Sequence, residues 1–557
     1  MKRFFLIGGI VIVLLAFFGS RLFLAESYDI VVYGGGFAGC AAARNAAAAA
    51  PKEKILLIVP DTSQRLGGLG TVGGQNFTDI RRWNNQLVTS GSFGRWFTEA
   101  GQFYNTETMA DIITRDLAQF KNITILYSTD INSIKQEGSR IKEITLAPIV
   151  RDSEGIVRWS EGGRRIKGQI FIDASDSGKL AELSGANLSV GREDWPEAYW
   201  TEKDQSNIPL QQAATLMFKV TGVKTPDKPM RVGDLEFVKD DKGSWGLVGG
   251  QKTWQENEIV VQFNREYSPQ GFAIKPINAA QNGLDNEEWW LNMLLVFNVD
   301  GRQTARDQEI GIRPASSSAD SLNVDQAWVA SREFLNQPGF LEALRQFSVK
   351  TEQGEVGFAQ AELVRDANGL PVVGEVMYLR ETVHGMLQDE ELPQGKENSL
   401  YALTTLEAQQ AGPIPSEGAD SVNYAERIGL GYYLMDINAY IAEDLLQEGQ
   451  YNWPVTGYLR PDLHEQGGQP VNPVYLPYSM LINPQVSNLL VPGYATSCSS
   501  LAWAEIRVLP NLAVLGDAAG VAAAGSVLKK KLPTEFGPEE ISWLQTKLTQ
   551  FGSRLEK

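Results

Sequence analysis

The stretch that most constrains the fold is Tyr28 to Ala50, where an apolar run, a glycine cluster and an alanine-rich segment follow one another. Residues 30–33 (IVVY) have the composition of a buried parallel strand. Residues 34–39 (GGGFAG) then fit the pattern G-x-G-x-x-G. Because alanine is the strongest helix former, the segment from Cys40 onward is predicted to be a helix. The sequence therefore predicts a strand, a tight turn and a helix in that order.

Each glycine of the turn has its own physical task. Gly34 permits the tight turn, Gly36 lets a diphosphate approach the backbone, and Gly39 lets the helix pack against the strand. The helix N-terminus also presents free N–H groups and a partial positive charge, which suits a pyrophosphate. A glycine-rich turn that binds nothing is the alternative. A second match to the pattern within residues 68–73 lacks both the preceding strand and the following helix.

A second parallel strand is predicted over Ile55 to Val59 (ILLIV). An acidic residue at the end of that strand would bind an adenosine ribose. Pro60 occupies the usual position and Asp61 follows one residue later, so Asp61 is the candidate, with a turn-forming aspartate as the alternative. The loop from Arg65 to Thr78 carries five glycines. It is either a flexible surface loop or backbone brought against a flat ligand.

Charge and cysteine content exclude several classes of protein. The net charge of −17 argues against a nucleic-acid partner, whose phosphates need a basic surface. Two cysteines, Cys40 and Cys498, exclude a disulfide scaffold and also a Cys-ligated iron–sulfur cluster, which needs about four thiolates. Two histidines, His384 and His464, make a His-rich metal site unexpected, so no metal ligands are assigned.

The first residues have the pattern of a targeting or anchoring segment. Lys2 and Arg3 precede an uncharged stretch from Phe4 to Ser20, so residues 1–26 are predicted to be a membrane anchor or signal segment outside the fold. No A-x-A cleavage site is evident, which favours an uncleaved anchor. The basic residues would stay cytoplasmic and the globular part would be extracytoplasmic. A globular part on the cytoplasmic face is the alternative.

The middle of the chain differs in composition and in residue pattern from both ends. Tryptophan is frequent there, polar loops are long, and strand-like runs such as Ala214 to Val220 and Ile259 to Phe263 alternate with amphipathic helices. A dinucleotide-type pattern returns at 488–491 and at 511–515, and the second predicted strand leads into Gly516, Asp517 and a small-residue helix. The predicted organisation is residues 1–26 as anchor, 27–186 and 476–557 as the two parts of a ligand-binding domain, and 187–475 as an inserted substrate domain.

These features together resemble the two-dinucleotide-fold flavoproteins of the glutathione-reductase structural type, and more specifically the broad FAD-dependent oxidoreductase family. The resemblance covers nearly all of the chain from Ser27 onward. It implies an α/β fold, with a Rossmann-like FAD-binding domain and an inserted α+β substrate domain. The motifs that carry it are YDIVVYGGGFAG (28–39), LGG-x-x-T-x-G (66–73), FIDASDSGKLAELSGA (171–186), RET (380–382), GYYLMDIN (431–438), LPY (476–478) and SCSSLAWAEIRVLPNLAVLGDAAGVAAA (497–524).

The resemblance also implies roles for single residues toward FAD. In such proteins the glycine turn holds the pyrophosphate, the acid after the second strand holds the adenosine ribose, and a Gly-Asp pair meets the ribitol. The following helix aims its N-terminus at the flavin pyrimidine, where its dipole stabilises the anionic reduced form. A plain N-cap is the alternative for the aspartate. The implied FAD-binding residues are Gly34, Gly36, Gly39, Asp61, Gly68, Thr71, Gly516 and Asp517.

The candidates for chemistry are weaker because the sequence departs from the family near the expected reactive face. Ser500 stands where a histidine is frequent, and Ser479 stands where an arginine is common. Arg380, His384 and Tyr478 are the candidate catalytic residues, with His384 as general base. A buried structural histidine and a packing tyrosine are the alternatives.

Two further residues lie in the loop before the last helix. Arg507 could pair with a carboxylate or phosphate, or it could anchor its loop to Glu505. Cys498 could face the flavin, although a cysteine at such a position is more often a small buried packing residue.

The predicted function is that of an FAD-dependent oxidoreductase, which transfers a hydride between the flavin and a small organic substrate. The sequence leaves the substrate and the electron acceptor open. A membrane-associated FAD-binding protein with a structural or assembly role is the alternative. A NAD-dependent dehydrogenase is disfavoured, because the element at Gly516 and Asp517 lies far from the first glycine turn whereas a simple NAD domain would be contiguous.

The first segment generates a prediction about location. We expect the full-length chain to sediment with membranes and to stay there through a high-salt wash, because an apolar span is not released by screening charges. A variant without residues 1–26 should be soluble. Fractionation and immunoblotting measure both, and a soluble full-length chain with an intact N-terminus would contradict the anchor.

Overall fold

The computed structural model describes residues 25–202, 204, 210–307, 321–352, 354–387, 400–416, 420–445, 459–460 and 470–557. Residues 1–24 of the predicted anchor and His464 lie outside these described residues, whereas Glu26, the last residue of that segment, begins the first strand. The strands are β1 (Glu26–Tyr33), β2 (Ile55–Ile58), β3 (Arg82–Trp83), β4 (Gln86–Leu87), β5 (Ile123–Leu126), β6 (Thr129–Glu137), β7 (Arg140–Arg151), β8 (Val157–Trp159), β9 (Arg164–Asp173), β10 (Leu188–Val190), β11 (Ala214–Thr215), β12 (Phe218–Thr221), β13 (Met230–Val232), β14 (Leu235–Lys239), β15 (Trp245–Gly249), β16 (Phe272–Ile274), β17 (Ile277–Gln281), β18 (Trp289–Leu291), β19 (Leu294–Val296), β20 (Val299–Asp300), β21 (Leu322–Asn323), β22 (Ser348–Thr351), β23 (Gly354–Gly357), β24 (Glu362–Leu363), β25 (Val383–Gly385), β26 (Arg427–Gly431), β27 (Val474–Pro477) and β28 (Leu489–Leu490).

The helices are distributed over the same ranges. They are α1 (Phe37–Ala49), α2 (Ser92–Ala100), α3 (Thr106–Leu117), α4 (Lys179–Leu183), α5 (Gln251–Glu256), α6 (Glu258–Tyr267), α7 (Gln303–Arg306), α8 (Val324–Phe334), α9 (Phe340–Arg345), α10 (Thr405–Gln409), α11 (Asp420–Asn423), α12 (Ser500–Ile506), α13 (Leu509–Lys529) and α14 (Pro538–Gln550).

The first sheet has the order β5-β2-β1-β9-β7-β6, with β28 added to β9 and β8 added to β7. Strands β5, β2, β1, β9 and β28 run parallel to one another, whereas β7 pairs with β9 in the antiparallel direction. Val32 of β1 lies between Leu57 and Ile172. The apolar residues of β1 and β2 are fully buried. One face of these strands packs in a cluster with α1 and α13, and the other packs in a cluster with residues of β6, β7 and β9. The predicted α/β class with a parallel sheet is confirmed.

Helices α1 and α13 pack against each other unusually closely. A Cβ atom added to Gly516 would lie 2.1 Å from the carbonyl oxygen of Ala38, and one added to Gly520 would lie 2.2 Å from that of Ala42. Both pairs are four residues apart, so they form one contact ridge along the two helices. The glycines therefore set the distance between α1 and α13.

Two strand predictions are wrong. Residues 511–515, predicted as a strand, lie inside α13 (Leu509–Lys529), because a short apolar run cannot be told from a segment of a buried helix by its pattern alone. The run from Ile259 to Phe263 lies inside α6, where the side chain of Asn257 caps the helix by accepting from the amides of Ile259 and Val260. The other predicted strand, 488–491, contains β28.

Residues 187–475 contribute a second, antiparallel sheet with the order β13-β14-β15-β17-β18-β12-β24. A three-stranded sheet, β11-β19-β16, lies in the same part of the chain. The predicted domain boundaries stay predictions. Among the described residues, α13 is the helix long and apolar enough to cross a membrane, but 89% of its apolar window is buried inside the protein, as in a core helix.

The contact between α1 and α13 generates a prediction about stability. Gly520→Ala should destabilise the fold by about 1–3 kcal/mol, because the added methyl group would meet the Ala42 carbonyl and force the helices apart. Gly94→Ala in α2 is the matched control. Its Cβ would meet no atom closer than 3.6 Å, so the change should be neutral or stabilise by up to about 1 kcal/mol. Thermal unfolding measures both, and equal midpoints would contradict the prediction.

Candidate active site

The turn between β1 and α1 is built from backbone contacts that admit no side chain at two of its positions. Gly34 has a φ of +119°, and a Cβ there would lie 2.6 Å from the carbonyl carbon of Ala174. A Cβ on Gly39 would lie 1.8 Å from the oxygen of Gly34. The first glycine is thus required by the turn and the last by the close approach of helix and turn.

Gly36 differs from both, because a Cβ added there would meet no atom within 4 Å. It is the N-cap residue of α1, and in the described part of the chain no side chain caps that helix and no acidic residue occupies its first turn. Gly36 also lines a cavity. The amides of the first turn and the positive end of the helix dipole are therefore available to an anion that enters this cavity.

The cavity lies at the carboxyl ends of the parallel strands, where open α/β sheets bind their ligands. The first sheet and its loops supply one wall, and residues of the insert supply the other. Arg151 and Val157 of β7 and β8 also reach it. The remaining lining residues are Gly34–Gly36, Pro60–Thr62, Gly68, Ala174–Ser177, Gly301, Gln303, Arg306, Val324, Asp325, Trp328, Glu375–Met377 and Leu379.

Asp61 follows β2 and lines this cavity, as the resemblance implied. One of its carboxyl oxygens, Oδ1, accepts from the amide of Ser63 at 3.0 Å, which is the turn contact named as the alternative. Burial, reinforced by the negative charges of Glu375 and Asp176, raises the pKa of Asp61 to about 8. A carboxyl group in this state can both donate and accept hydrogen bonds, which suits a pair of ribose hydroxyls.

The glycine loop after β2 lies against the turn rather than in solvent. The amide of Gly67 donates to the oxygen of Gly35 at 2.8 Å, and Gly68 lines the cavity. Thr71 is placed differently, since its hydroxyl donates to the oxygen of Leu66 at 2.7 Å. Of the two residues predicted in this loop, Gly68 is therefore at the cavity and Thr71 supports the loop.

The helix expected to begin after Gly516 and Asp517 begins earlier, at Leu509 after the N-cap Val508. The side chain of Leu509 lies beside the glycine loop, since a Cβ added to Gly70 would lie 2.9 Å from it. In the described structure its first turn contains no acidic residue, and no side chain caps it. The positive helix end that the resemblance implied near the flavin thus lies at Leu509.

Asp517 lies within α13, not at its start, and it does not line the cavity. Its Oδ2 accepts from the amide of Ser92 at 2.9 Å, and its Oδ1 accepts from the side chain of Asn45 at 2.8 Å. It also accepts from the Ser92 hydroxyl. The predicted contact with ribitol is not supported, because both oxygens already bind α1 and α2. The partner Gly516 packs on Ala38 instead.

Buried polar atoms collect near the start of α13. The side-chain amides of Gln212 and Asn438, the Asn511 oxygen and Arg507 Nε are buried and have no hydrogen-bond partner among the described residues. They belong to neighbouring segments, because the amide of Ala213 donates to the oxygen of Ala439 at 2.8 Å and Arg507 donates to the oxygen of Asp436 at 2.9 Å. Leaving such an atom unpaired costs about 1–3 kcal/mol, so this donor and acceptor set fits a polar ring system such as a flavin.

Arg380 and Arg507, both singled out from the sequence, meet at Tyr378. The guanidinium of Arg380 lies over the Tyr378 ring at 4.6 Å, and Arg507 Nη1 donates to the Tyr378 hydroxyl. Arg507 also pairs with the Asp436 carboxylate at 3.3 Å. The proposed anchor between Arg507 and Glu505 is therefore wrong, since Asp436 and Tyr378 hold the arginine.

His384 and Tyr478, the other two candidate catalytic residues, contact other parts of the chain. His384 is fully buried on β25, with Nε2 3.1 Å from the Glu381 carboxylate, and its Nδ1 has no described partner. The Tyr478 hydroxyl donates to the oxygen of Pro533 at 3.0 Å, and its ring stacks on Phe536. The contacts of Tyr478 are those of the packing alternative, and the base role of His384 stays a prediction.

Sequence reasoning missed Lys275, which is buried and near enough to Arg380 and Arg507 for their charges to act on it. Burial, followed by the charge of Arg380, lowers the pKa of Lys275 to about 7, with Asp436 and Asp79 acting in the opposite direction. The signal was available, because this lysine interrupts the otherwise apolar run FAIKPI at 272–277.

A family model described as FAD dependent oxidoreductase matches residues 29–548. A search of curated proteins gives no significant match. Among solved structures, a geranylgeranyl bacteriochlorophyll reductase-like protein from Thermoplasma acidophilum is 9% identical, covering 95% of this chain and 85% of that chain at a TM-score of 0.33.

Two further solved structures show the same kind of partial similarity. A p-nitrophenol 4-monooxygenase from Pseudomonas putida is 11% identical over 54% of this chain and 65% of that chain, at a TM-score of 0.23. A myxobacterial chondrochloren halogenase is 13% identical over 56% of this chain and 60% of that chain, at a TM-score of 0.24. Similarities this weak do not bear on chemistry.

The open space at Gly36 generates a prediction about cofactor binding. Gly36→Val should fold but lose FAD, because its side chain would occupy the cavity where the diphosphate must approach the backbone. Gly163→Val is the control, since its Cβ would meet no atom closer than 3.4 Å and it does not line the cavity. Flavin absorbance per folded protein measures the difference, and wild-type FAD content in Gly36→Val would contradict this placement.

Proposed function

The chain belongs to the FAD-dependent oxidoreductase family, and on that basis we propose that it transfers a hydride between FAD and a small organic substrate. The observation that carries the proposal is the open face of Gly36 at the cavity. It lies at the positive end of α1, whereas Gly34 and Gly39 admit no side chain. A turn that served packing alone would not need a bare backbone on the cavity side.

The residues of the cavity suit an extended FAD. Gly36 and the first turn of α1 would bind the pyrophosphate, and Asp61 would bind the adenosine ribose. The glycine loop contacts Gly36 through Gly68 and contacts Leu509 through Gly70. A ligand that extends along this loop from Gly36 would therefore place its flavin at the start of α13. The helix dipole there favours negative charge on the ring. When bound, FAD supplies a ring that accepts or releases a hydride.

The chain's own residues must then hold the substrate and move a proton. In the oxidative direction a substrate gives up a hydride from carbon and a proton from the adjacent oxygen or nitrogen, and the reductive direction reverses both. We propose that His384 exchanges this proton, with Glu381 holding its ring at 3.1 Å. Burial raises the pKa of Glu381. The electron acceptor is not assigned.

Location and partners rest on the sequence. We propose that residues 1–26 anchor the protein and that its globular part is extracytoplasmic, with the cytoplasmic face as the alternative. No described contact favours a purely structural or assembly role for the flavin over turnover. Flavin reduction distinguishes these two roles.

The test of the proposed function is an anaerobic substrate panel. Alcohols, amines, hydroxy acids and unsaturated compounds are mixed with the FAD-loaded protein, and flavin bleaching is followed by stopped-flow absorbance. We expect at least one class to bleach the flavin within seconds. A flavin that dithionite reduces but that no organic class reduces or reoxidises would contradict the proposal and favour the assembly role.

The same assay examines His384. His384→Gln should keep its FAD and slow flavin reduction by about 100-fold or more, the scale expected for loss of a general base. Tyr478→Phe is the control and should stay within about twofold, because the hydroxyl it loses contacts Pro533. A His384→Gln rate close to wild type would remove His384 as the base.

A further inference from the structure

Five charged residues near the start of α13 form a group, called here the cationic cluster. They are Lys275, Arg380, Arg507, Asp79 and Asp436. Its three cations are buried, with 5%, 1% and 2% of their surfaces exposed. Its two carboxylates are half-buried. The cluster therefore carries more positive than negative groups, and its cations lie on the inner side.

Arg380 is the most unusual member, because its described partners are all neutral. Its Nη1 donates to the Ala213 oxygen at 2.6 Å and the Thr215 hydroxyl at 3.0 Å, and its Nη2 donates to the Asn292 side chain at 3.2 Å. In the part of the chain that the structure describes, Arg380 forms no ion pair. Burial lowers its pKa to about 10. A buried cation with no anion is costly unless a charged ligand completes it.

The neutral contacts nevertheless fix the arginine in place. Asn292 in turn donates to Gln75 at 3.1 Å, and Gln75 donates to the oxygen of Phe77 at 2.9 Å. Trp503 Nε1 donates to the Arg380 oxygen at 2.8 Å. The guanidinium is thus linked to the glycine loop through Asn292, and the backbone of Arg380 is held by Trp503 of α12, as in a preorganised binding group.

The other cations contrast with Arg380. Arg507 already has Asp436 as a partner, but its buried Nε is left without one among the described residues. Lys275 has a pKa lowered to about 7 by its burial and by the charges of Arg380 and Arg507, which Asp436 and Asp79 oppose. A second negative group between these cations would stabilise all three of them.

The position of the cluster connects it to the proposed site. Met377 and Leu379 line the cavity, and Tyr378 between them contacts both arginines. On the outer side, Asp79 accepts from the Tyr433 hydroxyl at 3.1 Å, and both residues are half-buried. The cluster therefore lies between the start of α13 and a face that reaches solvent, where a substrate could enter.

Resting on the proposed function, we propose that the substrate is a small organic acid whose carboxylate binds Arg380. Lys275 adds a second, titratable positive charge. A guanidinium presents paired N–H groups that match a carboxylate in geometry and charge. A neutral substrate would leave Arg380 without an ion pair among the described residues, so this arginine selects acids over their amides.

Calorimetry on the oxidised FAD-loaded protein tests this directly, since binding requires no turnover. The probes are acetate, propionate and benzoate, each paired with its neutral amide. We expect at least one acid to bind at least tenfold more tightly than its amide, the scale of a charge-assisted hydrogen bond. Equal binding of acids and amides, or no binding of either, would overturn the inference.

Variants then locate the binding. Arg380→Met should keep FAD and lose at least tenfold in acid affinity, with amide binding unchanged. Arg365→Met is the matched control, because Arg365 is exposed and its described hydrogen bonds also go to neutral acceptors. If Arg380→Met keeps full acid affinity, or if it loses FAD instead, the inference is wrong. The second result would assign Arg380 to the cofactor.

Lys275→Met and a pH series keep the test decisive if Arg380→Met does not fold. Acid affinity should fall as pH rises from about 6 to 8, because Asp79 gains charge above a pKa of about 6 and Lys275 loses charge above about 7. Arg380 and Arg507 stay charged across this range. Lys275→Met should weaken acid binding several-fold below pH 7 and flatten the profile above it. An unchanged profile would overturn the role of Lys275.

The failures of the two proposals can be told apart. If acids bind through Arg380 but no organic compound exchanges electrons with the flavin, the proposed function fails and the binding site stands. If neutral compounds reduce the flavin and acids bind no better than amides, the function stands and the carboxylate site fails.

Discussion

The structure depends on backbone approaches that only glycine allows around α1. On one side of the helix, Gly39 brings it against the turn at Gly34. On another, Gly516 and Gly520 bring α13 against Ala38 and Ala42. These contacts fix where α1 begins and where α13 runs. The uncapped N-termini of both helices are thereby held at one site, although they come from opposite ends of the chain.

The sequence predicted the first part of this site because its determinants are local. The positive φ of Gly34 and the close approach of Gly39 to Gly34 involve positions only five residues apart, and the order strand, turn, helix was recognisable from composition. Asp61 and Gly68 are near enough in sequence to be placed by the same reasoning. Membership of the FAD-dependent oxidoreductase family was likewise recognisable from motifs along the chain.

The second part was misread because its determinants are not local. A buried helix such as α13 is apolar on every face, so the periodicity that distinguishes strand from helix is lost. Pro510 in its first turn was a usable signal for the start. The partner of Arg507 could not be predicted at all, since Asp436 reaches it from a distant segment. The same holds for Tyr478, whose partners lie in the C-terminal segment.

Assembly of the site from both ends of the chain has a consequence for synthesis. β1 and α1 leave the ribosome early, but β28 completes their sheet and α13 covers α1 only after residue 489 and residue 529 have been made. Until then the face of α1 that packs against α13 has no cover, and long-range contacts of this kind form slowly. The nascent chain must therefore be protected from aggregation until translation is nearly complete. The site at which the starts of both helices meet is complete only at that last stage.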